Sequence, residues 1–211
     1  GLTGNRISCI LGILNGTANY ILTKMTDEGG KFSDILQEAK KQGYAESDPT
    51  LDVEGLDTTH KLSILRSIAY GTVNSFEDIY TEGISHIEPI DIEFARELGY
   101  RIKLLAIARE VDSQIEARVH PTLIPHDHLL SKVDGTYNAI FIDGNAVGPS
   151  MFYGKGAGMM PAASAVVSDI IDISRNIISG ISQRIPLFSY QKDHLKKIAI
   201  KNIQEVETRY Y

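Results

Sequence analysis

"KLLAIAREVDSQIEARVHPT", residues 103 to 122, decides how the chain folds, because the spacing of its apolar residues changes here. Upstream, apolar residues recur every three or four positions, as on one side of a helix. Within this stretch they run together or alternate, as on the pleats of a strand. "YNAIFID" (137 to 143) and "NAVGPSMFY" (145 to 153) continue that pattern, and "DGN" at 143 to 145 is a hairpin turn signal, so the spacing predicts an antiparallel meander.

Working back toward the N-terminus, "RISCILGI" reads as a short strand and "LNG" as a turn. A helix follows in which Ala18, Ile21, Leu22 and Met25 share a face. A second helix is expected with Ser33 as its cap, Ile35, Leu36 and Ala39 on its apolar side and Gly43 as its stop. A third spans Asp57 to Tyr70, burying Leu62, Leu65, Ile68 and Ala69 and ending at Gly71. A fourth spans 91 to 103, with Phe94, Leu98 and Ile102 on one face. Beyond the strands, "GKGAGMMP" leads into a long helix from Pro161 to Ser179. Helices packed on one face of a largely antiparallel, mixed sheet make an α+β fold. The doubly wound parallel pattern is missing, and no strand is followed by Gly-x-Gly-x-x-Gly.

A formal charge of −6 argues against a nucleic-acid surface, which needs a concentrated basic face; the one basic cluster, "KDHLKK", reads as a solvated helix face. No apolar run approaches the roughly 20 residues that span a bilayer, and "GLTGNRISCI" lacks the order of a signal peptide, so a cytoplasmic protein with no membrane partner is expected. The single cysteine, Cys9, cannot form an internal disulfide. "NGT" at 15 to 17 matches a glycosylation sequon but carries little weight without a secretion signal.

Chemistry concentrates in "GYAESDPTLDVEGLDTTHKL", residues 43 to 62, with five carboxylates (Glu46, Asp48, Asp52, Glu54, Asp57) and one cation, Lys61. Asp57 and Lys61, four apart, fall on one helix face with the acid toward the positive end of the dipole. The bland reading is a surface ion pair worth about 0.3 to 0.5 kcal/mol. Against it stands the lead-in, stiffened at Pro49 and free to bend at Gly55, which brings Glu46 and Asp52 toward the same helix start. Carboxylates converging on one lysine suit a cationic ligand group beside a proton donor. A metal site is the weaker reading, because the spacing is not that of a calcium loop and Lys61 would repel a cation. "HDH" at 126 to 128 reads as a loop rather than a zinc site. "YGKGAGMMP" is a second candidate: its glycines let backbone approach a ligand, and Lys155 either serves an anion or sits in solvent.

The order Ala39, "GYA", "DP", "DV", Gly55, Asp57, Lys61 resembles the signature of the homoserine dehydrogenase family. "GILNGTANYIL", "DIEFARELGYRIKLLAIA", "IEARVHPTLIP" and "MFYGKGAGMMPAASAVVSDIIDI" are similar to that family too, over about residues 5 to 180. The resemblance implies NAD- or NADP-dependent interconversion of L-aspartate 4-semialdehyde and L-homoserine, on the route to threonine, methionine and isoleucine. It implies Lys61 as the acid/base at the substrate oxygen, Asp57 and Glu46 at the substrate's amino end and Asp52 in support. Gly16, Thr17 and Tyr44 would line the site, and Gly156, Ala157 and Gly158 would approach the nicotinamide; no metal ligand is expected within the chain. Ala18 and Ala162 stand where the family often has threonine. The resemblance further implies a substrate-binding, catalytic and dimerising domain over residues 1 to 182. Residues 183 to 211 would be a linker and the possible start of a regulatory ACT domain. The family's N-terminal nucleotide-binding domain, with its glycine fingerprint and a second lysine, is not among these residues, so the chain reads as a fragment, inactive alone and paired as a homodimer. The rival readings are an amino-acid-binding or assembly module without chemistry and, less favoured, a Schiff-base enzyme using Lys61.

Overall fold

In the computed structural model, which describes residues 2–73, 75–181, 195 and 198–207, the stretch around 103 to 122 is one long hairpin. Its arms follow β1 (Ile7–Ile13) and a two-residue strand, β2 (Tyr80–Thr81). They are β3 (Tyr100–Val111) and β4 (Gln114–Pro125), joined at Asp112 and Ser113, both with positive φ as a tight two-residue turn requires. β5 (Tyr137–Gly144) and β6 (Gly148–Lys155) form a second hairpin whose loop is 145 to 147, two residues later than "DGN" suggests. The Asn5 side chain accepts the Ala146 and Val147 N–H groups of that loop.

The sheet is not a simple meander. Its order is β2-β4-β3-β1-β5-β6, so β1 is inserted between the two hairpins, antiparallel to both neighbours, while β2 runs parallel to β4. The physical reason lies in β1 itself: Ile10 faces one core and Ile13 the other, and a strand apolar on both sides is best buried in the middle.

Helices α1 (Gly16–Glu28), α2 (Phe32–Lys41), α4 (Leu56–Tyr70) and α5 (Pro89–Glu97) close the larger core, where Ile21, Leu22, Met25 and Leu62 meet Ala106, Ile115 and Val119. A single turn, α3 (Thr50–Val53), precedes α4. On the sheet's other side Leu105, Ile107 and Ile124 meet Leu130 and Val133 of a short turn, which among the described residues covers only part of that face.

Several expected details differ. α2 starts at Phe32 with Lys31 as its cap, and Ser33, inside the first turn, bonds Asp34 instead. On α4 the buried stripe is Thr59, Leu62 and Arg66, and Ile68 is turned outward. The fourth helix ends at Glu97, because Gly99 takes a left-handed φ and the chain enters β3 directly. Ile92 and Ala95 are therefore its buried residues, Phe94 and Leu98 are exposed, and Ile102 is buried from a strand. α6 (Met159–Ile178) starts two residues before Pro161 and packs on neither face of the sheet; none of its residues is buried. No helix among the described residues is long and apolar enough to cross a membrane. "KDHLKK" and most of 183 to 211 lie outside the described residues, though Ala199 and Lys201 pair with the backbone of Ile115.

Candidate active site

The site forms where β1 runs into α1. Asn15 caps α1, its Oδ1 accepting the Ala18 N–H at 2.8 Å. With the oxygen committed to the helix, the amide NH2 turns the other way and donates to Asp52 Oδ1 (2.7 Å) and Asp57 Oδ2 (2.9 Å). Those acids arrive on α3 and the first turn of α4, linked by Gly55 at φ 79°. A side chain at 55 would be strained by that φ and would press on Thr81 and Val119.

Asp57 holds Lys61 one turn along α4, with Nζ to Oδ2 at 2.7 Å. Nζ also donates to the Leu14 carbonyl at 3.0 Å, and the Asn138 amide donates to the same carbonyl at 3.2 Å. A lysine ammonium has three hydrogens, so these two bonds leave one for the cavity. The Lys61 side chain is 46% exposed and Asp57 31%.

A second wall is the loop after α2. Thr17 Oγ1 donates to the Tyr44 carbonyl at 2.8 Å, and the Tyr44 ring lies 4.7 Å from that of Tyr20. Together these hold Tyr44 and Glu46 beside α1. The third wall is the glycine stretch entering α6. A Cβ at Gly156 would run into the Asn138 amide and displace it, and Gly158 sits at φ 117°. Lys155 lies over the Tyr137 ring, 5.8 Å from its centroid.

These walls enclose a cavity of about 670 Å³ that touches Gly16, Thr17, Tyr44, Glu46, Asp52, Asp57, Lys61, Gly156, Ala157 and Gly158. The site residues expected from sequence therefore lie around one space. Of the five carboxylates, Asp48 and Glu54 are not among its lining residues. Asp48 instead takes the hydroxyl and backbone N–H of Thr50, which hold its carboxyl below the usual range. His128, in "HDH", caps the turn at Leu130 and lies 5.2 Å from the Phe141 ring. A more apolar groove of about 450 Å³, with Ile64, Leu65, Ile140 and Phe152, meets the polar cavity at Lys61, Asn138 and Gly156.

Asn15 and Asn138 are absent from the set expected from sequence. Asn15 was findable, since an asparagine between a strand and a helix is a cap signal. Asn138 was not, being one polar residue in an alternating strand.

A family model described as homoserine dehydrogenase matches residues 1–171. The chain belongs to the homoserine dehydrogenase family. It is 49% identical over 211 residues to the homoserine dehydrogenase of Pseudomonas aeruginosa and 47% to that of Neisseria gonorrhoeae, covering all of this chain in both cases. The crystal structure of the homoserine dehydrogenase from Thiobacillus denitrificans superposes with a TM-score of 0.92 at 51% identity, over 98% of this chain and 48% of that one. A hyperthermophilic archaeal homoserine dehydrogenase solved in complex with NADPH is 30% identical, with a TM-score of 0.69, over 83% of this chain and 50% of its own. The chain spans about half the length of the curated relatives it matches.

A dinucleotide of the kind homoserine dehydrogenases use needs close backbone approach beside the reacting carbon. Gly156 and Gly158 meet that need, and Asn138 Oδ1, buried without a hydrogen-bond partner, is a spare acceptor at the same place. The residues present fit such a group.

Proposed function

We propose that the chain is the substrate-binding and catalytic part of a homoserine dehydrogenase, interconverting L-homoserine and L-aspartate 4-semialdehyde with NAD or NADP, in the making of threonine, methionine and isoleucine. The observation that carries this is Lys61, held by Asp57 and the Leu14 carbonyl with one N–H directed into a cavity rimmed by carboxylates.

Glu46 and Asp57 bind the substrate ammonium, Asp52 supports them, and Gly16, Thr17 and Tyr44 line the substrate. Lys61 donates its remaining proton to the aldehyde oxygen as that oxygen becomes an alkoxide, and takes it back from the homoserine hydroxyl in the reverse direction. The nucleotide, when bound beside Gly156, Ala157 and Gly158, supplies or accepts the hydride. Most of what holds it is expected in the half of the relatives that this chain does not span, and the 211 residues alone are expected to be inactive. The half-covered outer face of the sheet, with Leu11, Phe141 and Met151 only partly buried, supports a homodimer. A cytoplasmic location follows from the same reading.

The test is reduction of aspartate semialdehyde by NADPH and NADH, comparing this chain, the full-length protein and its Lys61→Ala variant. Activity in the full-length protein alone, lost on removing Lys61, is the expected result. A correctly folded full-length protein with no turnover would discard the reading in favour of an amino-acid-binding module.

A further inference from the structure

Resting on that function, we infer that Asn15 is a positioning residue for the reaction: its amide bridges Asp52 and Asp57 and so sets the carboxylate that holds Lys61. Two carboxylates side by side repel, and each would turn away from the other toward water. Asn15 removes that freedom by donating one N–H to each, at 2.7 and 2.9 Å. Its orientation is not open to reversal, because the oxygen is fixed at 2.8 Å on the Ala18 N–H, and a flipped amide would face two carboxylates with a third acceptor. Asp57 Oδ2 then receives both the Asn15 amide and the Lys61 ammonium. The chain of contact runs from the start of α1 through Asp57 to Lys61 Nζ. Asn15 itself lines the cavity but is 6% exposed, which suits a residue that acts through its neighbours.

The cap and the bridge are separable by substitution. Asparagine, aspartate and serine are about equally good helix caps. Asn15→Ser keeps an oxygen for the Ala18 N–H but is too short and has no second donor for Asp57. Asn15→Asp keeps the cap and the size but puts a third carboxylate against the two acids.

Both variants are made in the full-length protein and assayed for homoserine oxidation alongside the unsubstituted enzyme. The serine variant is expected to lose about 10- to 30-fold in kcat/KM for homoserine, the size of one lost hydrogen bond to a charged group, and the aspartate variant more. KM for the nucleotide should stay close to that of the unsubstituted protein, and the serine variant should stay folded at the assay temperature. If Asn15 only caps the helix, both variants will retain full kcat/KM, and that result overturns the inference. Loss of fold in both variants overturns it as well, since with the cap kept in each it would make the bridge a structural element rather than a positioning one. No turnover in the unsubstituted control is a different failure, removing the proposed function and the inference with it.

Discussion

Two lysines in this domain have nearly the same partners and opposite fates. Lys103, on β3, donates to Asn19 Oδ1 (3.1 Å), the Val133 carbonyl (2.6 Å) and Asp134 (3.0 Å), and its side chain is 1% exposed. Lys61, on α4, donates to Asp57 and the Leu14 carbonyl, and is 46% exposed. Each has an aspartate, a carbonyl and a nearby asparagine. In the first, all three ammonium hydrogens are spent inside the protein, so the residue is a clamp between β3 and the 133–135 turn. Burial pulls its ammonium below the ordinary lysine range, with Asp134 opposing. In the second, one hydrogen is left over at the wall of a cavity. A single unspent N–H separates a saturated ion pair from the one proposed to act on a substrate.

That contrast is open to test, beginning with the largest effect. Lys61→Ala in the full-length protein is expected to lower kcat by about 10³-fold, within the usual range for a removed acid/base, with little change in melting temperature. The two readouts together, a steady-state assay and a thermal melt, tell a lost proton donor from a lost fold. Lys103→Met should do the reverse. It keeps the apolar stem but strands the buried Asn19 Oδ1, while the Val133 carbonyl keeps the Asn19 amide, and is expected to cost about 2 to 3 kcal/mol in urea unfolding while activity per folded molecule is retained. A large fall in kcat under conditions where that variant is folded would break the contrast. Asp134→Asn, at a carboxylate that is 42% exposed, should cost only about 1 kcal/mol because water screens that side of the pair.

The smallest effect concerns another saturated group. His120 Nε2 accepts from the Arg118 Nε–H, so its proton sits on Nδ1, 2.8 Å from the Pro121 carbonyl. Burial lowers its pKa below 6.5. The unfolded chain then takes up the proton first, so stability should fall as pH drops below about 6.5 and level off once the folded form also protonates. Glu116 acts in a separate, more acidic window. Burial alone would raise its pKa, but hydrogen bonds and charge from Arg109 and Arg118 hold it below 4.5. Its stabilisation is therefore present above that value and lost as pH falls through the folded pKa. Urea midpoints between pH 7.5 and 5.5, with and without His120→Gln, isolate the histidine.

The fold class and the site were legible to different depths. The change of period at residue 103 marks the strands because side chains alternate whatever lies beside them. Strand order is decided by non-local pairing, and nothing local in "RISCILGI" says that it sits between two hairpins. "LGY" at 98 to 100 held a stop signal in Gly99, yet apolar spacing carried the expected helix past it to 103. α6 reads as an apolar helix, but its burial depends on what surrounds it. At the site, Asp57 and Lys61 are one helical turn apart and visible from spacing alone. The link from Asn15 to Asp52 and Asp57 closes over 37 and 42 residues of chain, and only the folded backbone brings them together.

The central place of β1 also has a consequence in time. Its residues are made before those of the other strands of this sheet, but its second neighbour, β5, pairs Ile7 with Gly144 and Ile13 with Ala139. During synthesis or refolding, the β3–β4 hairpin closes by local contacts, while the β1–β5 seam waits on a loop of well over a hundred residues. Asn138 and the glycine stretch lie beyond that seam, so the cavity is completed late. Quenched-flow hydrogen exchange should find amides of the β3–β4 hairpin protected before those of β5, and the reverse order would refute this sequence of events. A nascent chain halted before β5 holds Lys61 and its acids but has no finished pocket to put them in.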